Sequence, residues 1–323
     1  MERQMAHQQD GGDTSKLDDA ARAGWLYYIA GNTQDEIAAK LGVSRQSAQR
    51  LVSLAVSAHL IRFQLDHPIG ECMQLGAELE KRHGLKLVEV VPTDLAHPNA
   101  LHGIGQTAAR HLEMHLRSKE PVVIGIGTGR TLKAAVDNMS PMDCPQHKVV
   151  SMTGNIAPDG TAAYYNVIFN IADKTKARSY PWPLPVVANS VFERDVLLRQ
   201  SLITANVSLL DSAQTIFVGV GGLDDNAPLI LDRFLSLEEL RGLRHANAIG
   251  EICGWVFNAE GKLIDGLTNE RVTSAPIPSI DSKLVIAVAH GDRKVAAIRA
   301  AITRPLVNGL ITDEATARAL LDG

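Results

Sequence analysis

The stretch GIGTGRTLKAAVDN (Gly125–Asn138) joins a strand-like run, VVIGIG, to a helix-like run, LKAAV, through a turn crowded with glycine and hydroxyl residues. Gly127, Thr128 and Gly129 let backbone amides approach a ligand, and Arg130, Thr131 and the start of the following helix add donors. The spacing is not that of a P-loop, because G-x-x-x-x-G-K-[ST] is absent. It is not a dinucleotide fingerprint either, because G-x-G-x-x-G fails at Leu132. What remains is a strand, a glycine-rich turn and a helix. They either cradle an anion or a polyol or form a tight βα turn with no ligand.

Outward from this turn, strand-like and helix-like runs alternate. LKLVEVV, VVIGIG, HKVVSMTG, TIFVGVG, EICGWVF, KLVIAVA and VNGLIT read as strands. ALHGIGQTAARHLEMHL, TLKAAVDNM, TAAYYNVIFNIADKTKA, FERDVLLRQSLITANVSLL, LSLEELRGL, KVAAIRAAI and DEATARALL read as helices. Such alternation predicts a mostly parallel sheet covered on both faces, an α/β sandwich. Ligands of these sheets bind at the carboxyl ends of the strands. The residues that follow each strand therefore become candidates: Asn155, Asp224 with Asp225 and Asn226, Glu251 at the start of its run, His290 and Lys294. Turn chemistry and N-capping are the competing explanation for such residues, above all for Asn226 and Asp313. Lys294 fits it least, since a cation at a helix start opposes the dipole and implies an anionic partner.

The first part of the chain has a different pattern. LDDAARAGWLYYIAG carries apolar residues at helical spacing and stops at Gly31. In NTQDEIAAKLGVSRQSAQRLVSLAVSAHL, Thr33 and Glu36 form a T-x-x-E capping box, Gly42 makes a tight turn, Val43 plugs it into the core and Ser44 caps a second helix. That is a helix-turn-helix, in which the second helix enters the major groove of DNA. Its first turns offer Ser44, Arg45, Gln46, Ser47, Gln49 and Arg50, with Thr33 at the start of the preceding helix. Arginine can pair with guanine and glutamine with adenine, both bidentately. From Ser44 to Arg62 there are three arginines and no acid. Asp35 and Glu36 belong at the N-terminus of the first helix, where the dipole favours acids. HLIRFQLD (59–66) is expected to close a winged unit. A plain helical hairpin used for dimerisation is the alternative.

The predicted organisation is a disordered arm at 1–16, a winged helix-turn-helix DNA-binding domain at 17–66 and an α/β domain at 67–323. A linking helix at 69–83 either forms an interface or packs on its own domain. Among 323 residues, 45% are hydrophobic and 21% charged, which is ordinary for a globular chain long enough for two domains. The net charge of −4 excludes a global basic footprint, so DNA contact rests on a local patch. The three cysteines lie far apart, which argues against a disulfide framework or a structural zinc site. No apolar run approaches the roughly 20 residues that span a bilayer, and no signal peptide is evident, so a cytoplasmic protein is expected. His111 and His115 have the i, i+4 spacing of a metal pair without a third ligand, so no metal and no cofactor is expected; they are placed on an exposed helix face. Trp182, in the loop SYPWPLP, either stacks on a ligand or anchors that loop.

Several segments together resemble one family. A helix-turn-helix precedes GTGRTLKAA, VGVGGLDD, GEICGWVFN, VIAVAHGDRKVAAIRAAI and NGLITDEATARALL. The combination is similar to the SorC family of bacterial sugar-responsive transcriptional regulators, over nearly the whole chain from about residue 17. The resemblance implies an effector domain related in fold to sugar-phosphate isomerases and deaminases. It also implies a sugar, polyol or sugar-phosphate effector, operator DNA as partner, and a dimer or tetramer of the chain. It implies that Gly127 to Thr131 cradle the effector and that Lys294 lies in a second anion-binding loop. The family often has Gly-Trp-Gly-Arg-Thr where this chain has Gly127 to Thr131, and Ala-Gly-Gly-x-x-Lys where it has Ala289 to Lys294, so His290 replaces a small residue.

The function expected is therefore a regulator, with repression the assumed sign, of a sugar or polyol catabolic operon. A sugar-phosphate isomerase or deaminase is the alternative. It would need a general base and a proton shuttle. The deaminases carry Asp-Gly-His after the strand corresponding to TIFVGVG, where this chain has Gly222-Leu223-Asp224-Asp225-Asn226. An architectural DNA-binding protein without a ligand would leave the GTGRT turn and Lys294 unexplained.

Overall fold

The computed structural model describes residues 6–58, 60–61, 68–94, 96–97, 101–156, 161, 165–225, 227–231 and 234–323, without the side chains of 6–14, 68, 228 and 231. The chain divides into two compact units, residues 1–66 and 67–323. No described helix is long and apolar enough to cross a membrane.

In the first unit, helix α1 (Ala6–Tyr28) packs on α2 (Gln34–Leu41) and α3 (Arg45–Ser57). The polar stretch before residue 17, expected as a disordered arm, is helical from Ala6 onward. Extending an existing helix needs no new nucleus, so a polar sequence can continue one that the apolar residues further along have started. Thr33 accepts from the Glu36 amide and Glu36 reaches back to Thr33, completing the capping box. Gly42 then turns the chain and Ser44 caps α3 by accepting from the Ser47 amide. Ala23, Ile37, Ala38, Ala48 and Val52 form the buried core, with Leu26, Leu41, Val43 and Leu51 packed against it. The wing expected from HLIRFQLD falls mostly outside the described residues.

The second unit opens with α4 (Pro68–His83), which packs on β1 (Leu87–Val91) and buries Cys72 and Leu79; the linking helix thus belongs to its own domain. There follow α5 (His102–Leu116), β2 (Val123–Ile126), α6 (Arg130–Asn138), β3 (Lys148–Ser151), α7 (Val167–Thr175), β4 (Arg178–Tyr180), α8 (Val191–Leu198), α9 (Ser201–Asp211), β5 (Thr215–Val218), β6 (Gly221–Gly222), the single turn α10 (Pro228–Leu231), α11 (Leu237–His245), β7 (Ala248–Ile252), β8 (Trp255–Asn258), β9 (Leu284–Val288), α12 (Val295–Thr303), β10 (Gly309–Asp313) and α13 (Glu314–Leu321).

Among the described residues, seven strands form one sheet in the order β1-β10-β9-β5-β2-β3-β4, all parallel. Both faces are covered, as the apolar alternation requires. Along β9, Val285 and Ala287 join the core that includes residues of α4, α9, α12 and α13, while Ile286 and Val288 join the core under α5, α6 and α7. From β2 the chain builds outward through β3 and β4, then returns to place β5 on the other side of β2 and continues through β9 and β10. The order reverses between β2 and β5, which is where open α/β sheets bind ligands.

Three expectations change. EICGWVF, read as one strand, is a hairpin: β7 and β8 pair antiparallel around Cys253 and Gly254, whose φ values of 54° and 87° suit a two-residue turn with both central residues left-handed. FERDVLLRQSLITANVSLL is two helices parted at Arg199–Gln200. In the run TAAYYNVIFNIADKTKA the described helix is Val167–Thr175, and Tyr165 and Asn166 lie outside it.

Candidate functional site

At the reversal point lies a cavity of about 470 Å³. Thr128 to Thr131 bound it after β2, Thr153 after β3, Gly219 to Gly221 and Asp224 after β5, and His290 to Lys294 after β9; Glu251, Cys253 and Gly254 enter from the β7–β8 hairpin. Of the candidates taken from the sequence, Thr128, Gly129, Arg130, Thr131, Asp224, Glu251, His290 and Lys294 line this one space. Gly127 lies just behind it, its amide donating to the Phe217 carbonyl at 2.8 Å. Asn155 is the exception. It lines a separate depression with Ile156, Asn166 and Phe169, where Ile156 bridges to Pro185, and Thr153 faces the cavity instead. Asn226 lies outside the described residues.

The turn after β2 has its shape for local reasons. Gly129 takes φ 120° and ψ 174°, a conformation closed to residues with a side chain, and α6 starts there without a side-chain cap. The first amides of α6 are thereby left for a ligand. The two threonines also hold the turn through their hydroxyls. Thr128 donates its hydroxyl to the Tyr165 carbonyl at 2.7 Å, and Thr131 donates to the Val288 carbonyl at 2.8 Å. Arg130 is exposed at the mouth.

Facing this donor-rich turn is a carboxylate. Glu251 accepts from the Gly254 amide at 2.8 Å, and its head lies across Gly221, where a Cβ would meet Oε1 at 2.0 Å. Burial pushes its carboxyl above the ordinary range, while the Gly254 amide and the charge of Lys294 pull it back. Lys294 ends a short 3-10 turn (Asp292–Lys294) and sits at the N-cap position of α12 without a side-chain cap bond. Burial lowers its ammonium and the Arg130 charge adds to this, against Glu251 and Asp224. Asp224 also lies 3.9 Å from Arg293. Burial pushes the Cys253 thiol up to about 12, which keeps it a neutral wall group. The site thus joins three cations, Arg130, Arg293 and Lys294, and bare helix amides with carboxylates, a set suited to a small, polar, polyhydroxylated ligand with or without an anionic group.

Asp313 accepts from the Thr316 amide at 3.0 Å as the N-cap of α13, as its turn chemistry implied. Trp182 is fully buried and donates to the Thr273 carbonyl at 2.7 Å, so it anchors its loop. His111 and His115 are not on an exposed face. His111 is buried against Glu89 at 2.9 Å, and His115 packs edge-on to Phe217. Their spacing on α5 is amphipathic, and the buried side is theirs. Several wall residues carried no signal in the sequence, among them Leu101, Thr153, Tyr165 and Phe234.

In the first unit, Arg45, Gln46, Gln49 and Arg50 are exposed along the start of α3, with Ser47 half-buried. The hydroxyls of Thr33 and Ser44 serve as caps. Asp35, assigned only to the start of α2, also comes within 3.5 Å of Arg45.

Known proteins resemble this chain in sequence and fold. Residues 67–322 match the family described as "Putative sugar-binding domain". The erythritol catabolism regulatory protein EryD of Brucella abortus is 34% identical over 94% of this chain and 96% of its own length. The deoxyribonucleoside regulator of Bacillus subtilis is 28% identical over 96% of this chain and 99% of its own. The full-length sorbitol operon regulator SorC of Klebsiella pneumoniae superposes with a TM-score of 0.70 at 23% identity, covering 95% of this chain and 99% of that one. The chain belongs to the SorC family of sugar-binding transcriptional regulators.

Proposed function

We propose that this regulator binds operator DNA through α3 and is controlled by a sugar, polyol or sugar phosphate held in the cavity between β2 and β5. One observation carries this: eight residues singled out as ligand-facing, drawn from four separate segments, converge on one polar cavity at the topological reversal. The bare α6 amides, Arg130 and Lys294 supply donors, while Glu251 and Asp224 accept from hydroxyls. The name of the EryD relative points to erythritol as a first probe. Repression relieved by effector is the sign proposed, in the cytoplasm. A ligand can shift the equilibrium only by binding the two states unequally.

The same reading makes the active species an oligomer. In support, α8 buries none of its residues and presents Val191, Phe192 and Val196 to solvent. An effector that repositions subunits would alter the spacing of recognition helices against operator half-sites.

A thermal-shift screen tests the proposal. A ligand at about a hundred times its Kd adds about 2.7 kcal/mol. Erythritol, other polyols, sugars and their phosphates form the panel. Stabilisation by a member that also releases the operator supports it; a flat panel rejects it.

A second reading has one observation in its favour. Glu251 is shifted up and Lys294 down, as in sites of proton transfer. An isomerase would exchange substrate C–H hydrogen with deuterium from heavy water, detected by NMR. Absence of exchange in a ligand that binds leaves the cavity a sensor.

A further inference from the structure

Resting on the cavity as effector site, we infer that His290 sets ligand specificity by reading a hydroxyl group through Nε2, with Asp313 as the positioning residue behind the ring. The His290 side chain is only 9% exposed and lines the cavity. Its Nδ1 is shut off from solvent, has no hydrogen-bond partner among the described residues, and lies 3.8 Å from Asp313 Oδ2. That separation is too long for a hydrogen bond, yet a carboxylate so close in a buried place favours an N–H directed at it. Asp313 cannot drift, since it accepts from the Thr316 amide at 3.0 Å and from the Thr93 hydroxyl at 3.1 Å. Burial raises its carboxyl, but the neighbouring His290 ring and the hydrogen bonding from Thr316 outweigh that and hold it below the usual range, as an anion.

With the proton on Nδ1, the edge of the ring left to the cavity carries Nε2. A neutral ring accepts there and a charged ring donates. A hydroxyl satisfies either state. An ionised phosphoryl group only accepts, and it finds its donors at Arg130, Arg293 and Lys294, which line the same cavity. The group that meets His290 is therefore a hydroxyl of the polyol or sugar, whatever occupies the cationic end.

The test is calorimetric titration of the full chain with erythritol and with the two butanetriols that lack one interior or one terminal hydroxyl. Their phosphates are titrated in parallel. The parent chain is expected to reject one triol. His290→Ala should shrink that discrimination by roughly three- to tenfold, the worth of one neutral hydrogen bond. His290→Gln, whose amide reaches the position of Nε2, should restore most of it. His290→Asn, which imitates Nδ1, should not. Equal discrimination in His290→Ala and the parent overturns the inference. So does rescue by Asn and not Gln, which would make the ring a partner of Asp313 only. If the parent binds none of these probes, the comparison is made with the ligand that the thermal-shift panel returns and its deoxy analogues; a flat panel sinks the effector assignment, whereas equal discrimination by the parent and His290→Ala sinks this inference alone.

Discussion

Thr131 on α6 donates to the carbonyl of Val288, the last residue of β9, at 2.8 Å, although β5 lies between β2 and β9 in the sheet. The turn after β2 is thereby tied to the strand end that leads into the loop carrying His290 and Lys294. Thr131→Val should leave that buried carbonyl unpaired and destabilise the chain by about 1–3 kcal/mol. Thr131→Ser should keep the bond. Denaturant unfolding of both variants decides; equal stability would mean that the tie contributes nothing.

Arg130 stands exposed at the cavity mouth and holds no structural bond in the turn. Arg130→Ala should leave operator affinity unchanged and raise the effector concentration needed to release DNA. An unaltered effector response in a gel-shift titration would remove Arg130 from the site.

The pair of Arg45 and Asp35 makes a second kind of test. Both side chains are solvent-exposed, so the 3.5 Å contact itself adds little stability. Arg45→Ala should weaken or relax operator binding by about 1–3 kcal/mol. Asp35→Asn should tighten it, by removing an acid that competes with DNA for the guanidinium. An affinity that is indifferent to both changes would take this end of α3 out of the DNA interface.

Glu251 predicts a pH dependence. Burial raises its carboxyl above the ordinary 4.5, so the folded chain holds that proton more tightly than the unfolded chain. Its contribution to stability is complete below the unfolded value and is lost as the pH rises through the folded one. In Glu251→Gln that loss disappears. The variant should gain on the parent in stability between acid and neutral pH, as seen in melting curves across that range. A constant difference would place the carboxylate in ordinary solvation.

Phe192 is 79% exposed on a helix that has no fully buried residue and packs on the core only through its partly buried Leu197 and Leu198. If α8 joins subunits, Phe192→Glu should shift the chain to a smaller species in sedimentation while leaving its melting cooperative. An unchanged sedimentation coefficient would move the interface elsewhere.

What the sequence made legible was local. The helix-turn-helix could be read because Thr33, Glu36, Gly42 and Ser44 each act within four residues of their partners. The GTGRT turn could be read because strand, glycines and helix are contiguous. The hairpin in EICGWVF could not, since its turn places a cysteine, with no Asn-Gly signal, in a left-handed conformation. Nor could the burial of His111, whose partner Glu89 lies on β1. Thr153 and Tyr165 reach the cavity only through the packing of β3 and the approach to α7, and Asn155, two residues past Thr153, does not reach it.

Gly221 has an implication for descent as well as for binding. A β carbon at this position would collide with the Glu251 carboxylate that lies over it. The two positions should therefore change together across lineages. Wherever a relative carries alanine or larger at 221, the residue at 251 should be shorter or absent from the cavity, and the set of compounds to which that regulator responds should have diverged.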